Sequence, residues 1–311
     1  MKIFILSFVI IFLSYSKYVY ASTEWNRLND KVESLYQQGD YAGAIVIAKK
    51  THQMAEREFG PDHSNVSASL NNLAEIYRAQ GQYALARPLL KRALLINDKA
   101  LGPNHIDVAM NLNNFALLLH AQGRHTVAET LHKRAFEIKE EILGSDHTDV
   151  ATSLNNLAAL YHAKEEYAKA EPLYKRALVI NDTALGLDHL SVATSLSGLA
   201  ALYEERAEYA RAEPRYKRAL EIVKKALGPE HPIVAASLNN LATLYFVQMQ
   251  YSQARPLYKR ALEIWINALG SKHPEVATGL ENLAELQRKT RQDKEAESLE
   301  KRAATIRAMQ R

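Results

Sequence analysis

The sequence predicts an all-α protein: an α-solenoid, or superhelix, of about seven antiparallel helix hairpins. Three observations carry that prediction. His63, His105, His147, His189, His231 and His273 recur 42 residues apart. Gly60, Gly102, Gly144, Gly186, Gly228 and Gly270 recur with the same period. Two alanine columns do too: Ala74, Ala116, Ala158, Ala200, Ala242 and Ala284, then Ala86, Ala128, Ala170, Ala212, Ala254 and Ala296. A strict repeat of this length marks stacked supersecondary units, each too small to bury its apolar face alone.

The chain has 311 residues, 24 % of them charged and 47 % hydrophobic, the balance of an ordinary folded protein. Its first segment differs from the rest. A basic start, Met1 and Lys2, leads into the apolar run from Ile3 to Leu13, and Val19 and Ala21 fit a signal-peptidase site with cleavage after Ala21. The run is far short of the roughly 20 residues that a membrane-spanning helix needs. Residues 1–21 are therefore expected to be a signal peptide, with an uncleaved anchor as the alternative because Lys17 sits near the cut. There is no cysteine, which excludes a thioether lipid anchor, disulfides and thiol chemistry. A periplasmic or secreted location is expected. Removing Lys2 and Lys17 with the signal lowers the formal charge from +4 to +2, too little to attract nucleic acid.

Residues 22–62 read as a degenerate N-terminal capping repeat, with Leu28, Leu35, Gly39, Tyr41, Ala44 and Gly60 on the 42-residue grid. Residues 63–272 form five full repeats. Residues 273–311 form a C-terminal capping repeat whose end is polar. In the first full repeat Val66, Leu70, Leu73, Ala74 and Tyr77 lie on one helical face from His63 to Gln80. Gly81 breaks that helix. A second helix starts at Tyr83 and carries Ala86, Leu90, Ala93, Leu94 and Ile96 as its stripe. Gly102 is expected to close it in the left-handed conformation, and Pro61, Pro103 and Pro229 follow such closures. The alanine columns mark where the helices approach closely. Pro88, Pro172, Pro214 and Pro256 stand about six residues into the second helix, where each removes one hydrogen bond, so a bend is expected there.

The stretch Val150-Ala151-Thr152-Ser153-Leu154-Asn155-Asn156-Leu157-Ala158-Ala159-Leu160-Tyr161, with Tyr167, Ala170 and residues Leu173 to Leu178, resembles the tetratricopeptide repeat superfamily, in the 42-residue form of kinesin light chains and their bacterial relatives. The resemblance covers 24–311. It implies a right-handed superhelix whose first helices line a concave groove that holds peptide segments of partners. The coiled coil of kinesin light chains is absent, so motor binding is not implied. Tetratricopeptide domains that grip a C-terminal carboxylate use Lys and Arg on these helices. The matching positions here are Ala68, Met110, Thr152, Thr194, Ala236 and Thr278, which hold no cationic clamp.

An Asn pair recurs on the first helix as Asn71-Asn72, Asn113-Asn114, Asn155-Asn156 and Asn239-Asn240, is altered at Glu281-Asn282, and is lost at Ser197-Gly198. In the family the second Asn of the pair faces the groove. A side-chain amide there both donates to and accepts from any peptide backbone. The alternative is that these amides bridge neighbouring first helices. Gly198 is expected to leave a shallow notch. Arg78, His120, His162, Glu204, Phe246 and Arg288 fill one variable column, the expected place for partner specificity.

Other ladders read as architecture. Equivalent histidines on stacked helices lie about 8–10 Å apart, whereas ligands of one metal ion lie about 2 Å from it. The His63 series cannot converge on an ion and is expected to start each first helix. The Lys-Arg pairs beginning at Lys91, Lys133, Lys175, Lys217, Lys259 and Lys301 sit on the second helix. Glu129, Glu171, Glu213 and Glu297 stand four residues before a lysine, the favourable helical order, and the arginines are expected to reach over the next hairpin. No P-loop, dinucleotide fingerprint, His-Glu-x-x-His or Gly-x-Ser-x-Gly is present, and no cofactor or metal is expected. The reading is a non-enzymatic, monomeric scaffold for a protein or peptide partner, binding neither nucleic acid nor, once the signal is removed, membrane. A secreted effector acting on host proteins and a membrane-tethered envelope assembly factor are the alternatives.

Overall fold

A computed structural model describes residues 23–309; the expected signal segment, 1–21, lies outside them. Among the described residues there are fourteen helices and no strand. They are α1 (Thr23–Gln37), α2 (Tyr41–Phe59), α3 (Ser64–Ala79), α4 (Tyr83–Leu101), α5 (Ile106–Ala121), α6 (His125–Leu143), α7 (Thr148–Ala163), α8 (Tyr167–Leu185), α9 (Leu190–Glu205), α10 (Tyr209–Leu227), α11 (Pro232–Val247), α12 (Tyr251–Leu269), α13 (Pro274–Lys289) and α14 (Asp293–Ala308). The chain is an all-α solenoid built as two compact units, divided between Glu166 and Tyr167. In the first, α1 to α7 pack each on the next; in the second, α8 to α14 do the same. Among the described residues no helix is long and apolar enough to cross a membrane.

The periodic residues explain the elements. All six histidines of the 42-residue series cap a first helix. The ring Nδ1 accepts the backbone N–H two residues on, at 3.1–3.2 Å, from Asn65, Asp107, Asp149, Ser191, Ile233 and Glu275. That bond satisfies one of the orphan donors of a helix start. It also requires a neutral ring, because a protonated Nδ1 cannot accept. Pro232 and Pro274 follow the cap in the first turn, where a missing N–H costs nothing.

The glycines that end the second helices differ from expectation. Gly102 has φ +85° and ψ 160°, and Gly60, Gly144 and Gly228 match it. This is the mirror of extended backbone, open essentially to Gly alone, and not the left-handed helical region. The left-handed region appears instead at the turn inside each hairpin. Gly39, Gly81 and Gly123 hold it at first, but Glu165, Ala207, Met249 and Arg291 take φ between +57° and +61° in the later repeats. The expected bends are not breaks either. Pro88, Pro172, Pro214 and Pro256 lie exposed within second helices of 19 residues, the length of α6, which has Thr130 at that place. Exposure lets water take the carbonyl that proline leaves unpaired.

The alanine columns are at most 1 % exposed throughout, as expected of sites where helices touch. Polar staples join neighbouring repeats. The Glu129 carboxylate pairs with Lys133 at 2.7 Å and accepts from Tyr161 Oη at 2.9 Å and Lys164 Nζ at 2.6 Å. Glu171 does the same with Lys175, Tyr203 and Arg206, and Glu213 with Lys217 and Tyr245. Bonds from Lys133 and Lys164 hold Glu129 down at about 2. The arginines correct the sequence reading. They reach back to the preceding repeat or the turn before their own: Arg92 to Glu56, Arg134 to Asn104, Arg218 to Asp188 and Arg260 to Glu230.

Candidate functional site

The first helices carry the candidate site, and their amides bond first to each other. Asn72 Nδ2 donates to Asn29 Oδ1 at 3.1 Å, Asn114 to Asn71 at 3.3 Å and Asn156 to Asn113 at 2.9 Å. In the second unit Asn282 donates to Asn239 at 2.8 Å. Each rung joins the second Asn of one repeat to the first Asn of the repeat before it, 43 residues back. Bridging between first helices, the alternative read from sequence, is therefore what one N–H of these amides does.

Burial varies within both registers. Asn71 and Asn113 are each 7 % exposed. Asn113 Oδ1 also faces His132 Nδ1 at 2.9 Å, and Asn71 Nδ2 donates to Ser67 O and to Asn111 Oδ1. The second register is mixed: Asn72 and Asn156 are buried, while Asn114, Asn240 and Asn282 are half-buried, as are Asn155 and Asn239 of the first. Asn156 Oδ1 has no hydrogen-bond partner, so its carbonyl remains unspent. One helical turn before the second Asn stand Ala68, Met110, Thr152, Thr194, Ala236 and Thr278, all half-buried. None of these side chains is charged, and the Arg307 guanidinium donates to Thr278 Oγ1 at 2.9 Å.

Two expectations are corrected. The notch at Gly198 is filled from within the chain: a Cβ there would stand 2.4 Å from Cε1 of Tyr174. Gly198 makes room for a ring of the chain itself. Half of the variable column, too, is interior. His162 is 4 % exposed, Glu204 8 % and Phe246 7 %. Residues of this column face the position 12 on in the second helix of their own hairpin. Glu204 accepts from Tyr216 Oη at 2.9 Å, Phe246 lies 6.5 Å from the Tyr258 ring, and Arg288 pairs with Glu300 at 2.9 Å. Arg78 is held by Glu75 through two bonds, and Glu75 also accepts from Tyr36 Oη at 3.0 Å. His120 is half-buried against His125.

Some site residues escaped the sequence reading. Asn29 is the first rung of the ladder and lies on the 42-residue grid before Asn71, so the grid alone could have found it. Asn111 is fully buried and ties Ser67 Oγ, Ala93 O and Asn71 together. Its register holds Ser69, Ser153, Ser195 and Ser237 elsewhere, a departure that was visible.

Residues 26–99, 65–141, 107–183, 149–225, 191–248 and 234–308 each match the tetratricopeptide repeat family model. No curated protein matches the chain. Among solved structures it is similar to BtubC (BKLC) from P. vanneervenii, at 22 % identity over 76 % of this chain and 91 % of that one, with a TM-score of 0.56. It is similar to a protein of nearly identical TPR-like repeats from Podosopora anserina, at 26 % identity over 66 % and 97 %, with a TM-score of 0.52. The Rap conjugation gene regulator of the plasmid pLS20, solved in complex with the Phr* peptide, shares the fold at 13 % identity over 92 % and 74 %, with a TM-score of 0.69.

Proposed function

The chain belongs to the tetratricopeptide repeat family, a family of protein–protein interaction scaffolds, and from that premise we propose that it is a non-enzymatic scaffold holding extended peptide segments of a partner against the Asn-bearing face of its first helices. The observation that carries the reading is the state of that face. The amide ladder fixes the side chains of Asn114 and Asn282 by one N–H each and leaves both residues half-buried on that face. Oriented, half-buried amides meet the donors and acceptors of a peptide backbone without demanding charge. The peptide complex of the Rap regulator supports a peptide ligand for this kind of solenoid.

The test must spare the ladder, since Asn-to-Ala changes would weaken the stack itself. Thr152 and Thr194 bond only within their own helices, to Thr148 O and Leu190 O. Peptides selected from a displayed library on residues 22–311 are expected to bind Thr152→Lys and Thr194→Lys proteins at least tenfold more weakly, with melting unchanged. Selected peptides that bind both variants as well as the parent would remove the site from this face.

Export is part of the proposal, carried by the segment 1–21. Mass spectrometry of the protein from its native cell is expected to find a chain beginning at Ser22. A chain that retains residue 1 would make it a tethered protein instead.

A further inference from the structure

Three histidines outside the capping series meet in one hairpin, and each departs from the repeat. His125 stands where Tyr41, Tyr83, Tyr167, Tyr209 and Tyr251 stand elsewhere. His132 takes the place of Leu90, Tyr174, Tyr216 and Tyr258, and His120 lies in the variable column. His120 closes α5 and the other two lie on α6. The His120 and His125 rings are 5.1 Å apart between centroids, with planes at 57°. The Nδ1 atoms of both are buried and have no hydrogen-bond partner. Packing does not explain two adjacent, unpartnered imidazole nitrogens.

His132 completes the group. It is 1 % exposed. It stands 12 residues after His120, the register in which Glu204 meets Tyr216 and Phe246 meets Tyr258 across their hairpins. Asn113 Oδ1 can only accept, so at 2.9 Å His132 Nδ1 carries the proton and donates it. That fixes the tautomer and leaves Nε2 as the lone pair. An imidazole whose second nitrogen donates to a carbonyl is the arrangement typical of metal-bound histidine. Burial, His125 and Arg78 hold His120 neutral, with its titration lowered to about 4. The Arg78 charge is itself met by Glu75.

We propose that His120, His125 and His132 bind one late first-row divalent cation of the zinc type, with water as a fourth ligand. The ring spacing fits. With metal–nitrogen bonds of about 2.0–2.1 Å, two imidazoles on one tetrahedral ion hold their ring centres about 5 Å apart. Three imidazole ligands and no carboxylate select zinc, copper or nickel over calcium and magnesium. Among the described residues no group of three or more His, Cys, Asp or Glu side chains is placed to hold a metal ion as it stands. Binding therefore entails rotation of these rings toward one another. The capping histidines cannot take part, because their Nδ1 atoms hold helix starts.

Tag-free protein of residues 22–311, stripped with EDTA, is titrated with ZnCl2 by calorimetry and followed by thermal melting. One equivalent is expected to bind with micromolar or tighter affinity and to raise Tm. His125→Tyr installs the residue of the other repeats and is expected to weaken that step at least 100-fold while keeping the metal-free circular dichroism. His132→Leu, which copies Leu90, is expected to do the same and serves if the first variant folds poorly. Absence of a one-equivalent step in the parent, or its survival in either folded variant, overturns the site.

Discussion

Replacing Asn113 by Ala is expected to cost about 2–5 kcal/mol of stability, because it orphans two buried donors at once. Its Oδ1 accepts from Asn156 Nδ2 and from His132 Nδ1, both at 2.9 Å. Asn156 is 2 % and His132 1 % exposed, so water cannot replace the lost acceptor without opening the stack. A buried donor left unpaired costs about 1–3 kcal/mol. Asn239 offers the comparison: its Oδ1 accepts from Asn282 alone, and both residues are half-buried. Asn239→Ala is expected to cost about half as much. Urea unfolding of the two variants beside the parent reads the difference. Equal and negligible losses would mean that the rungs add nothing to the stack and that these amides serve a ligand only.

Glu204→Gln is expected to stabilise the protein at pH 8 by about 2–3 kcal/mol and to do nothing at pH 4. Glu204 is 8 % exposed, its Oε1 has no hydrogen-bond partner, and only Tyr216 donates to Oε2. Burial therefore pushes the carboxyl up to about 7, opposed by the Tyr216 bond and assisted by Glu205. The sign follows from proton uptake. Between the unfolded value near 4.5 and about 7 the folded chain binds the extra proton. Stability is thus full below 4.5, falls as pH rises through this window, and is flat above it. A shift of this size is worth about 3 kcal/mol. Gln keeps the shape and can still accept from Tyr216, but it carries no charge to desolvate. Urea midpoints at the two pH values decide the matter; the same change at both would mean that Glu204 is ionised in the fold throughout.

The architecture was legible because packing writes itself into every period. Alanines mark contacts, glycines mark backbone that no other residue adopts, and histidines mark helix starts. Where the sequence reading failed, the reason is directional. The 42-residue grid says which residues share a register but not which neighbour each side chain turns toward. The arginines were expected over the next hairpin and point to the preceding turn. The variable column looked like a ligand surface because it varies. Three of its members instead face the side chain 12 positions on, as Glu204 faces Tyr216. The same coupling accounts for Gly198, whose meaning depends on the Tyr174 ring. The Asn pairs were visible as unusual, but periodicity alone could not show that their amides bond along the stack.

The rungs, caps and staples are all short along the chain. The longest reach described for any side-chain hydrogen bond is 44 residues, from Asn111 to Ser67, barely more than one period. Contacts this local are formed with little loop-closure entropy, which favours fast folding. A nascent chain needs only two adjoining repeats outside the ribosome before it can begin to set. The same locality bears on ancestry. A whole period gained or lost by unequal recombination leaves the spacing of every remaining bond intact, so the number of repeats is free to change while the joint between them is inherited unaltered.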